Sequence, residues 1–384
     1  MSDLPATSIS EHFGTLTDPR VERSKDHLLV DIITIALCGV ICGAEGWVAI
    51  ETFGREKVAW LRTFLALPGG IPSHDTFGRV FARLDPEECR RCFLNWVRAS
   101  GGDPGDQVVA IDGKTLRRSH DRGAGKAALH LVSAWATRSG LVVGQVATDA
   151  KSNEITAIPV LLKLRALDGA TVTIDAMGCQ TAIATQIIEQ RADYVLALKD
   201  NHEKLHDRVT RAFADADRAA GTTLRLGDLP ADTTTDTGHG RLEQRRCRAI
   251  GDPDYLAFID PDGAWPNLQS VVCIESTRRI GDTVSVEARH YLSSLPPAAA
   301  RLARAIRSHW SIENRLHWVL DVTFHEDDSR VRVGHAPENF AILRHIALNV
   351  LRQDRSTRGS VPTKRFRAAL NDRYLRSLLT DLST

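Results

Sequence analysis

The 384-residue sequence predicts an α/β protein in which a mixed β-sheet is flanked by helices, with a helical N-terminal part and a β-rich insertion. Three observations lead to this fold class. Apolar residues recur at helical spacing up to about residue 100. Between residues 105 and 200, short strand-like runs alternate with helical runs. Residues 201–297 are mainly β-like, and helical patterns resume in residues 298–384.

The N-terminal segment, residues 1–100, is predicted to be helical. We predict helices in the stretches HLLVDIITIALCGVICGA, WVAIETFGREKVAWLRTFL and SHDTFGRVFARLD. Ser73 opens the third stretch and is a suitable N-cap, because its hydroxyl accepts hydrogen bonds from unpaired N–H groups of a first helical turn. The Gly- and Pro-rich run RASGGDPGDQ then predicts a linker.

The central segment, residues 105–200, carries the predicted strands of the sheet. QVVAID is a short strand ending on Asp112, and ALHLVSAWATRSGLVVGQVAT forms two strands joined by a turn at Arg138–Ser139–Gly140. A helix (EITAIPVLLKLRAL), a strand ending on Asp175 (ATVTIDAM), a helix (QTAIATQIIEQR) and a strand (DYVLALK) follow. This order predicts an antiparallel meander that is continued by parallel crossovers within one sheet.

Residues 201–297 are predicted to be a β-rich insertion into this α/β core. Its β-like runs are TTTDTGHGRLEQRRCRAI, YLAFID, SVVCIESTRRI and VSVEARHYLSSL. Helices are predicted again in PAAARLARAIRSHWSIENRLHWVLD and PENFAILRHIALNVLRQD. The last segment, residues 298–384, therefore completes the core with helices.

Charge is distributed unevenly along the chain. The formal net charge is only +1, but from Arg301 onward 15 Lys or Arg residues accompany 9 Asp or Glu residues, and the basic run GKTLRRSHDRGAGK follows Asp112. Such zones allow a near-neutral protein to bind a phosphate backbone, and ordinary solvated helix faces are the alternative. The sequence has no apolar run of about 18 residues, the length that would predict a membrane span. Its seven cysteines are scattered along the chain and suit reduced thiols. We therefore expect a cytoplasmic protein.

Two aspartates stand at matching strand ends, Asp112 in AIDGKT and Asp175 in TIDAMG. A single aspartate at a strand end is more often a turn or cap residue. Ligands collect beyond the strand ends of an open α/β sheet, so the two carboxylates are expected to lie a few ångströms apart. Because like charges at that distance repel unless a cation lies between them, the pair predicts Mg²⁺ or Mn²⁺.

The stretch HWSIENRLHWVLD, residues 309–321, supplies a third carboxylate. In a continuous helix His309, Glu313, His317 and Asp321 recur every four residues and therefore line one face. Glu313 is expected to reach the two aspartates. Three carboxylates are able to hold two cations, which activate an attacking water or hydroxyl and stabilise the leaving oxygen at phosphorus.

A zinc hydrolase and a solvated helix face are the alternatives for the same stretch. The H-E-x-x-H motif places its two His on adjacent turns, whereas these His are eight residues apart, about 12 Å along a helix. The imidazoles are predicted instead to contact phosphate or to orient carboxylates, and Asp321 to pair with a basic neighbour. For Trp310 and Trp318, packing beneath the helix is favoured over base stacking.

Three sequence blocks together resemble bacterial insertion-sequence DDE transposases of the H-repeat-associated branch. They are IDGKTLRRS, TIDAMGCQ and IRSHWSIENRLHWVLDVTFHEDDSR, and GIPSHDTFGRVF and GHGRLEQRR are also similar. The resemblance implies an RNase H-like core in which Asp112, Asp175 and Glu313 bind two Mg²⁺ or Mn²⁺ ions. It also implies an N-terminal helical domain that helps to bind element ends, double-stranded DNA as substrate, and a homodimer in the synaptic complex.

The sequence departs from a wider group of these enzymes around the third acid. That group carries Tyr, Arg and Lys where this chain has Ile306, His309 and Leu320. The phosphate-binding roles of that Tyr, Arg and Lys are therefore not assigned to these three positions as a set. Arg307, His309 and Asn314 are the residues to test for such roles in this chain.

Further DNA contacts are predicted outside the third block. Lys114 and Arg117 follow the first aspartate and are expected either to steady the strand being cut or to be solvated. His239 and Arg241 in the insertion are expected to contact DNA near the scissile phosphate.

The predicted function is metal-dependent DNA strand cleavage and strand transfer at the ends of an insertion sequence. Two alternatives are open at this point. One is a nuclease of the same fold that hydrolyses DNA without joining ends. The other is a DNA-binding derivative that has lost its activity.

Overall fold

The computed structural model describes residues 9–101, 105–121, 123, 125–148, 154–164, 167–220, 229–238 and 241–380. The N-terminal segment is helical, as predicted. Its helices are α1 Ile9–Phe13, α2 Leu29–Ile41, α3 Trp47–Glu56, α4 Val58–Leu61, α5 His74–Arg83 and α6 Pro86–Ala99. The predicted cap is confirmed, because the Ser73 hydroxyl accepts a hydrogen bond from the backbone N–H of Thr76 at 3.3 Å.

The central segment forms the predicted succession of strands and helices. The elements are β1 Val108–Thr115, β2 His130–Ala136, β3 Leu141–Ala147, α7 Glu154–Lys163, β4 Thr171–Ile174, α8 Thr181–Glu189 and β5 Asp193–Leu198. Strands β1, β2 and β3 form an antiparallel meander, and β4 lies parallel to both β1 and β5. The α/β prediction and the mixed sheet are therefore confirmed.

The insertion widens this sheet instead of forming a separate one. Its strands are β6 Ala231–Gly238, β7 Arg241–Ile250, β8 Ser270–Ile280 and β9 Thr283–Ser293. Strand β9 pairs antiparallel with β5, from Val195 opposite Ser293 to Leu198 opposite His290. The described strands therefore form one nine-stranded sheet in the order β3-β2-β1-β4-β5-β9-β8-β7-β6.

The insertion also contains two helices that were not predicted. They are α9 Glu203–Ala220 and α10 Pro253–Ile259. The β-like prediction for YLAFID, residues 255–260, is wrong because local capping starts a helix there. The Asp252 side chain accepts hydrogen bonds from the N–H groups of Asp254 and Tyr255, and Pro253 occupies the first turn, where no N–H is needed.

The C-terminal segment is helical, but the stretch that contains Glu313 is not one regular helix. Helix α11 covers Ala299–His309, a π-helical turn covers Glu313–His317, and α12 covers Trp318–Phe324. The remaining helices are α13 Ala336–Gln353, α14 Val361–Leu370 and α15 Asp372–Thr380. The prediction of a continuous helix over residues 309–321 is therefore wrong. Single π-turns of this kind are frequent at functional sites.

Helix α13 joins the N-terminal helices to the sheet. It packs against α2, α5, α6 and β3. Its buried Asn339 donates side-chain hydrogen bonds to the carbonyl oxygens of Phe81 and Leu84. The N-terminal helices and the sheet thus share one hydrophobic core. The boundaries near residues 100, 200 and 298 remain sequence predictions.

Among the described residues, every helix is either too short or too polar to cross a lipid bilayer.

Candidate active site

Asp112 and Asp175 lie side by side at one edge of the parallel part of the sheet. The parallel register of β1 and β4 ends with Ile111 opposite Ile174, and the two aspartates are the next residues on each strand. Asp175 follows the last residue of β4, as predicted. Asp112 does not end its strand, because β1 continues to Thr115 through its pairing with β2. The predicted strand end is corrected. The two residues are neighbours across the parallel strands, and the predicted separation of a few ångströms between their carboxylates stays a prediction.

The Asp112 carboxyl lies in an environment that opposes its ionisation. Burial, together with the negative charges of Glu154, Asp175 and Glu313, raises its pKa to about 7, although the N–H of Gly113 acts to lower it. Burial also raises the pKa of Asp175. Carboxyl groups that converge in this way are complemented by a cation.

Glu313 and His317 approach Asp112 from the π-helical turn. Nδ1 of His317 lies 3.1 Å from Oε2 of Glu313 and 3.6 Å from Oδ2 of Asp112. One potential ligand atom from each of these three residues lies within 4.8 Å of the others. A carboxylate–carboxylate–imidazole set of this kind is suited to a divalent cation.

Asp175 does not belong to that compact set. Its Oδ1 accepts hydrogen bonds from the backbone N–H groups of Met177 and Gly178 at 3.1 and 3.3 Å. Its negative charge nevertheless raises the pKa of Asp112. The structure therefore brings Asp112 and Glu313 together with His317, and keeps Asp175 within electrostatic range of Asp112.

A fourth carboxylate, Glu154, was missed by the sequence analysis. It starts α7, and its Oε1 lies 2.9 Å from Nε2 of His130. A Cβ atom on Gly113 would overlap both side chains, which explains the glycine directly after Asp112. Apart from that glycine, no sequence signal connected Glu154 with the aspartates.

The ammonium of Lys114 is occupied by acidic partners. Its Nζ lies 2.5 Å from Asp321, 3.0 Å from Glu326 and 3.4 Å from Asp327. The prediction that Asp321 pairs with a basic neighbour is confirmed. Lys114 was predicted to contact DNA or to be solvated. Only 12% of its side chain is exposed, so it is not solvated, and its contact with DNA stays a prediction.

Two family models match this chain. The one described as "Transposase DDE domain" matches residues 103–350, and the one described as "DDE_Tnp_1-associated" matches residues 10–97. The chain belongs to the DDE transposase family.

Similar proteins support this membership along nearly the whole transposase chain. "H repeat-associated putative transposase YhhI" of Escherichia coli (strain K12) is 38% identical over 97% of each chain. "Putative transposase YncI" of Escherichia coli O157:H7 is 39% identical over 98% of this chain and 95% of that one. "Inactive transposase YbfQ" of Escherichia coli (strain K12) is 39% identical over 20% of this chain and 89% of its own length.

A solved chain titled "Cryo-EM structure of piggyBac transposase synaptic complex with hairpin DNA (SNHP)" aligns with this transposase at 10% identity and a TM-score of 0.42. The alignment covers 100% of this chain and 78% of that chain.

The other predicted DNA contacts of the transposase lie mostly on its surface. The Arg117 side chain is 82% exposed, with Nε 3.3 Å from Asp327. Arg241 at the start of β7 and Asn314 in the π-helical turn are exposed. Arg307 is exposed and pairs with Asp236 of β6 at 2.9 Å. His239 lies outside the described residues.

His309 does not have the character predicted for a phosphate contact. Its Nδ1 is hydrogen-bonded to the Thr173 hydroxyl at 3.0 Å, and burial lowers its pKa to about 4. The ring is therefore neutral at neutral pH and lacks the charge with which an arginine binds phosphate. In the structure the side chain links α11 to β4, and its contact with phosphate stays a prediction.

The predicted packing of the two tryptophans beneath the catalytic helix is wrong. Trp310 is 47% exposed and Trp318 is 58% exposed. The guanidinium of Arg289 in β9 lies over the Trp310 ring at 5.1 Å. Exposure on this scale leaves the alternative, base stacking, compatible with both positions.

The C-terminal basic zone contributes less positive surface than the sequence indicates. Arg344, Lys364 and Arg365 are buried. The Arg365 guanidinium donates to the carbonyl oxygens of Val40 and Thr323, so it links helices within the chain. These three cations are therefore removed from the predicted phosphate-binding set.

Proposed function

We propose that this chain is an active DDE transposase, which cleaves DNA strands at the ends of its insertion sequence and transfers the freed ends to target DNA. The single observation that carries the proposal is the convergence of Asp175 and Glu313 on Asp112, whose pKa is raised to about 7 by burial and by neighbouring acids. An enzyme without a cation would gain nothing from concentrating negative charge where a phosphodiester has to bind.

We further propose that two Mg²⁺ or Mn²⁺ ions bind at these carboxylates. The donor set fits, because hard divalent cations take carboxylate oxygens, and the three acids approach from two strands and one helical turn. Bound there, the ions supply activation of the attacking oxygen and charge neutralisation at phosphorus. Asp112 is central and faces both Asp175 and Glu313. Met177 and Gly178 hold Asp175 in place through their N–H groups.

The DNA substrate is expected to lie across this edge of the sheet. Arg117, Arg241 and Asn314 are exposed and are retained as proposed contacts. Arg307 is retained on condition that its ion pair with Asp236 exchanges for phosphate. His239 is retained from the sequence pattern alone. A homodimer on paired element ends and a cytoplasmic, nucleoid-associated location complete the proposal.

The alternatives make different predictions about products. A nuclease of the same fold would nick DNA without joining a 3′ end to a target. An inactive derivative would bind DNA without nicking it. The retention of Asp112, Asp175 and Glu313 around one edge favours an active enzyme over an inactive derivative.

The test uses the purified full chain, DNA carrying the native element ends, and a supercoiled target. With Mg²⁺ or Mn²⁺ we expect nicked ends and joined products. Asp112→Asn, Asp175→Asn and Glu313→Gln should each reduce cleavage by at least about a thousandfold, because each removes charge that offsets the cations. End-DNA binding should stay within about threefold of the wild type. Cleavage retained in Asp112→Asn or Glu313→Gln would contradict the assignment, and nicking without joining would favour the nuclease.

A further inference from the structure

We propose that His317 is a direct metal ligand, and that its Nδ1 completes the coordination of the ion held by Asp112 and Glu313. This inference rests on the proposed function, because it deepens the description of the same site. Neither the sequence pattern nor the resemblance assigned His317 to a metal. With this ligand, the ion is bound by oxygen and nitrogen atoms instead of by oxygen atoms alone.

The spacing of the three ligand atoms carries the inference. Two ligands at right angles on an octahedral ion, each about 2.1 Å from it, lie about 3 Å apart. His317 Nδ1 lies 3.1 Å from Glu313 Oε2 and 3.6 Å from Asp112 Oδ2. The two distances from Nδ1 are therefore close to the separation that a shared ion requires, and the ligand atoms of all three residues lie within 4.8 Å of one another.

Glu313 and His317 are four residues apart within the π-helical turn Glu313–His317, a spacing at which side chains on a helix surface are neighbours. His309, in the regular helix before it, is hydrogen-bonded to Thr173 instead. The two imidazoles of this stretch therefore have different partners.

The surroundings of the imidazole favour ligation over a simple ion pair with Glu313. His317 is 4% exposed, and among the described residues its Nε2 has no hydrogen-bond partner. Oε1 of the buried Glu326 has none among them either, and the charge of Glu326 acts on the His317 ring. A histidine that binds a metal through one nitrogen commonly donates its other N–H to a carboxylate. Glu326, whose Oε1 also lies 3.6 Å from Nη1 of Arg344, is the carboxylate that we propose for that role.

A nitrogen ligand has a predictable effect on metal preference. Imidazole suits first-row transition metals, whereas carboxylate-only sites suit Mg²⁺. We therefore expect the wild-type chain to bind Mn²⁺ more tightly than Mg²⁺. His317→Gln should weaken Mn²⁺ binding by about tenfold or more, a loss comparable with that from altering a metal's supporting residues. Its Mg²⁺ affinity should change less, so the preference for Mn²⁺ should narrow.

The decisive measurement is pulsed electron paramagnetic resonance of Mn²⁺ bound to the full chain, recorded with and without end DNA. A directly coordinated histidine gives a ¹⁴N coupling, and labelling with ¹⁵N-histidine should replace it with the ¹⁵N pattern. We expect this coupling in the wild type, its loss in His317→Gln and its retention in His309→Gln. His309 is the matched control, because it is a second imidazole from the same stretch, its Nδ1 is hydrogen-bonded to Thr173, and it is not one of the three clustered ligand residues.

The outcomes separate this inference from the proposed function. Absence of a histidine nitrogen coupling in the wild type at saturating Mn²⁺, with and without DNA, overturns the inference, as does a coupling that survives in a folded His317→Gln. The wild-type measurement needs no variant, so it remains informative if His317→Gln does not fold. If the coupling is present but the chain does not cleave DNA, the inference stands and the proposed function fails.

Discussion

At the scale of single residues, the site contains side chains of the same type in different surroundings. His309 and His317 come from one short stretch, yet one is hydrogen-bonded to Thr173 and the other lies between Glu313 and Asp112. Asp112 and Asp175 likewise differ, because backbone N–H groups hold one oxygen of Asp175. Residue type alone therefore does not assign a role in this site.

His309 should make the chain sensitive to acid. Burial lowers its pKa to about 4, whereas in the unfolded chain the group titrates near 6.5. The folded state therefore resists protonation, and the stability contributed above pH 6.5 is lost as the pH falls from 6.5 toward 4. We expect His309→Gln to reduce the loss of unfolding free energy between pH 7 and pH 4.5 by about 1–2 kcal/mol, measured by urea denaturation.

His335→Gln is the control for that measurement, because the His335 side chain is exposed. It should leave the acid sensitivity at its wild-type level. An identical response of the two variants would show that burial of His309 does not set the effect. End-DNA affinity of His309→Gln should also stay within about twofold of wild type, since a neutral ring contributes no ionic contact to phosphate.

At the scale of elements, Lys114 connects β1 with the segment that follows α12. Although burial opposes its charge, the acids Glu326 and Asp321 raise the pKa of Lys114. Lys114→Met would remove the 3.0 Å partner of buried Glu326 and leave it with Arg344, whose Nη1 lies 3.6 Å from it. We expect a loss of about 3 kcal/mol in the free energy of unfolding, measured by urea denaturation in metal-free buffer, because removing one partner of a buried ion pair leaves the other charge poorly compensated.

Arg117→Met is the matched control for this element, since Arg117 also contacts Asp327 but its side chain is 82% exposed. Its cost should stay within about 0.5 kcal/mol. Comparable costs for the two substitutions would argue against Lys114 as a structural link. Reduced DNA binding by a stably folded Lys114→Met would support the prediction of a DNA contact.

The elements also show which parts of the structure the sequence could reveal. The succession of three strands, helix, strand, helix and strand is legible in the periodicity, because each element buries one face of regular spacing. The π-helical turn could not be predicted from the sequence, because one extra residue in a turn leaves the apolar pattern almost unchanged. The helix at Pro253–Ile259 was missed because its cap, Asp252 followed by proline, outweighs the β-like composition of YLAFID.

The site was predictable to the extent that it depends on strand ends. Asp112 and Asp175 could be paired because parallel strands bring consecutive -Ile-Asp- segments to one edge. The place of Glu154 and His317 in the site could not be predicted from the sequence. The position of Glu154 depends on where α7 begins, and that of His317 on the π-helical turn. The ion pairs of Lys114 involve an acidic segment more than 200 residues away in the sequence, and such a distant contact cannot be predicted from periodicity.

At the scale of the whole molecule, the N-terminal helices are part of the central core. Ile32, Ile35 and Leu37 of α2 are fully buried, and α2 packs on α13, which also covers β3. We expect a chain of residues 105–384 to aggregate or to bind a hydrophobic dye strongly, because its α13 would expose apolar surface. Soluble yield, dye binding and thermal unfolding should be compared with the full chain.

A monomeric 105–384 fragment that unfolds cooperatively would contradict this expectation. It would also establish the predicted boundary near residue 100 as a division between independently folding domains. The hydrogen bonds from Asn339 to Phe81 and Leu84 cross that boundary, so they are the contacts the fragment would lack.

Strand β6 is one of the two edge strands of the sheet, and its composition affects how copies of the chain can associate. Among the described strands it pairs only with β7, so its other edge is open to a new strand. Its sequence, ADTTTDTG, is almost entirely exposed and includes Asp232 and Asp236. An edge rich in Thr and Asp is a poor template for fibril-like growth, because joining two such edges crowds carboxylates together. This edge therefore disfavours growth of the sheet between molecules, and we expect protomers that pair on DNA to use other surfaces.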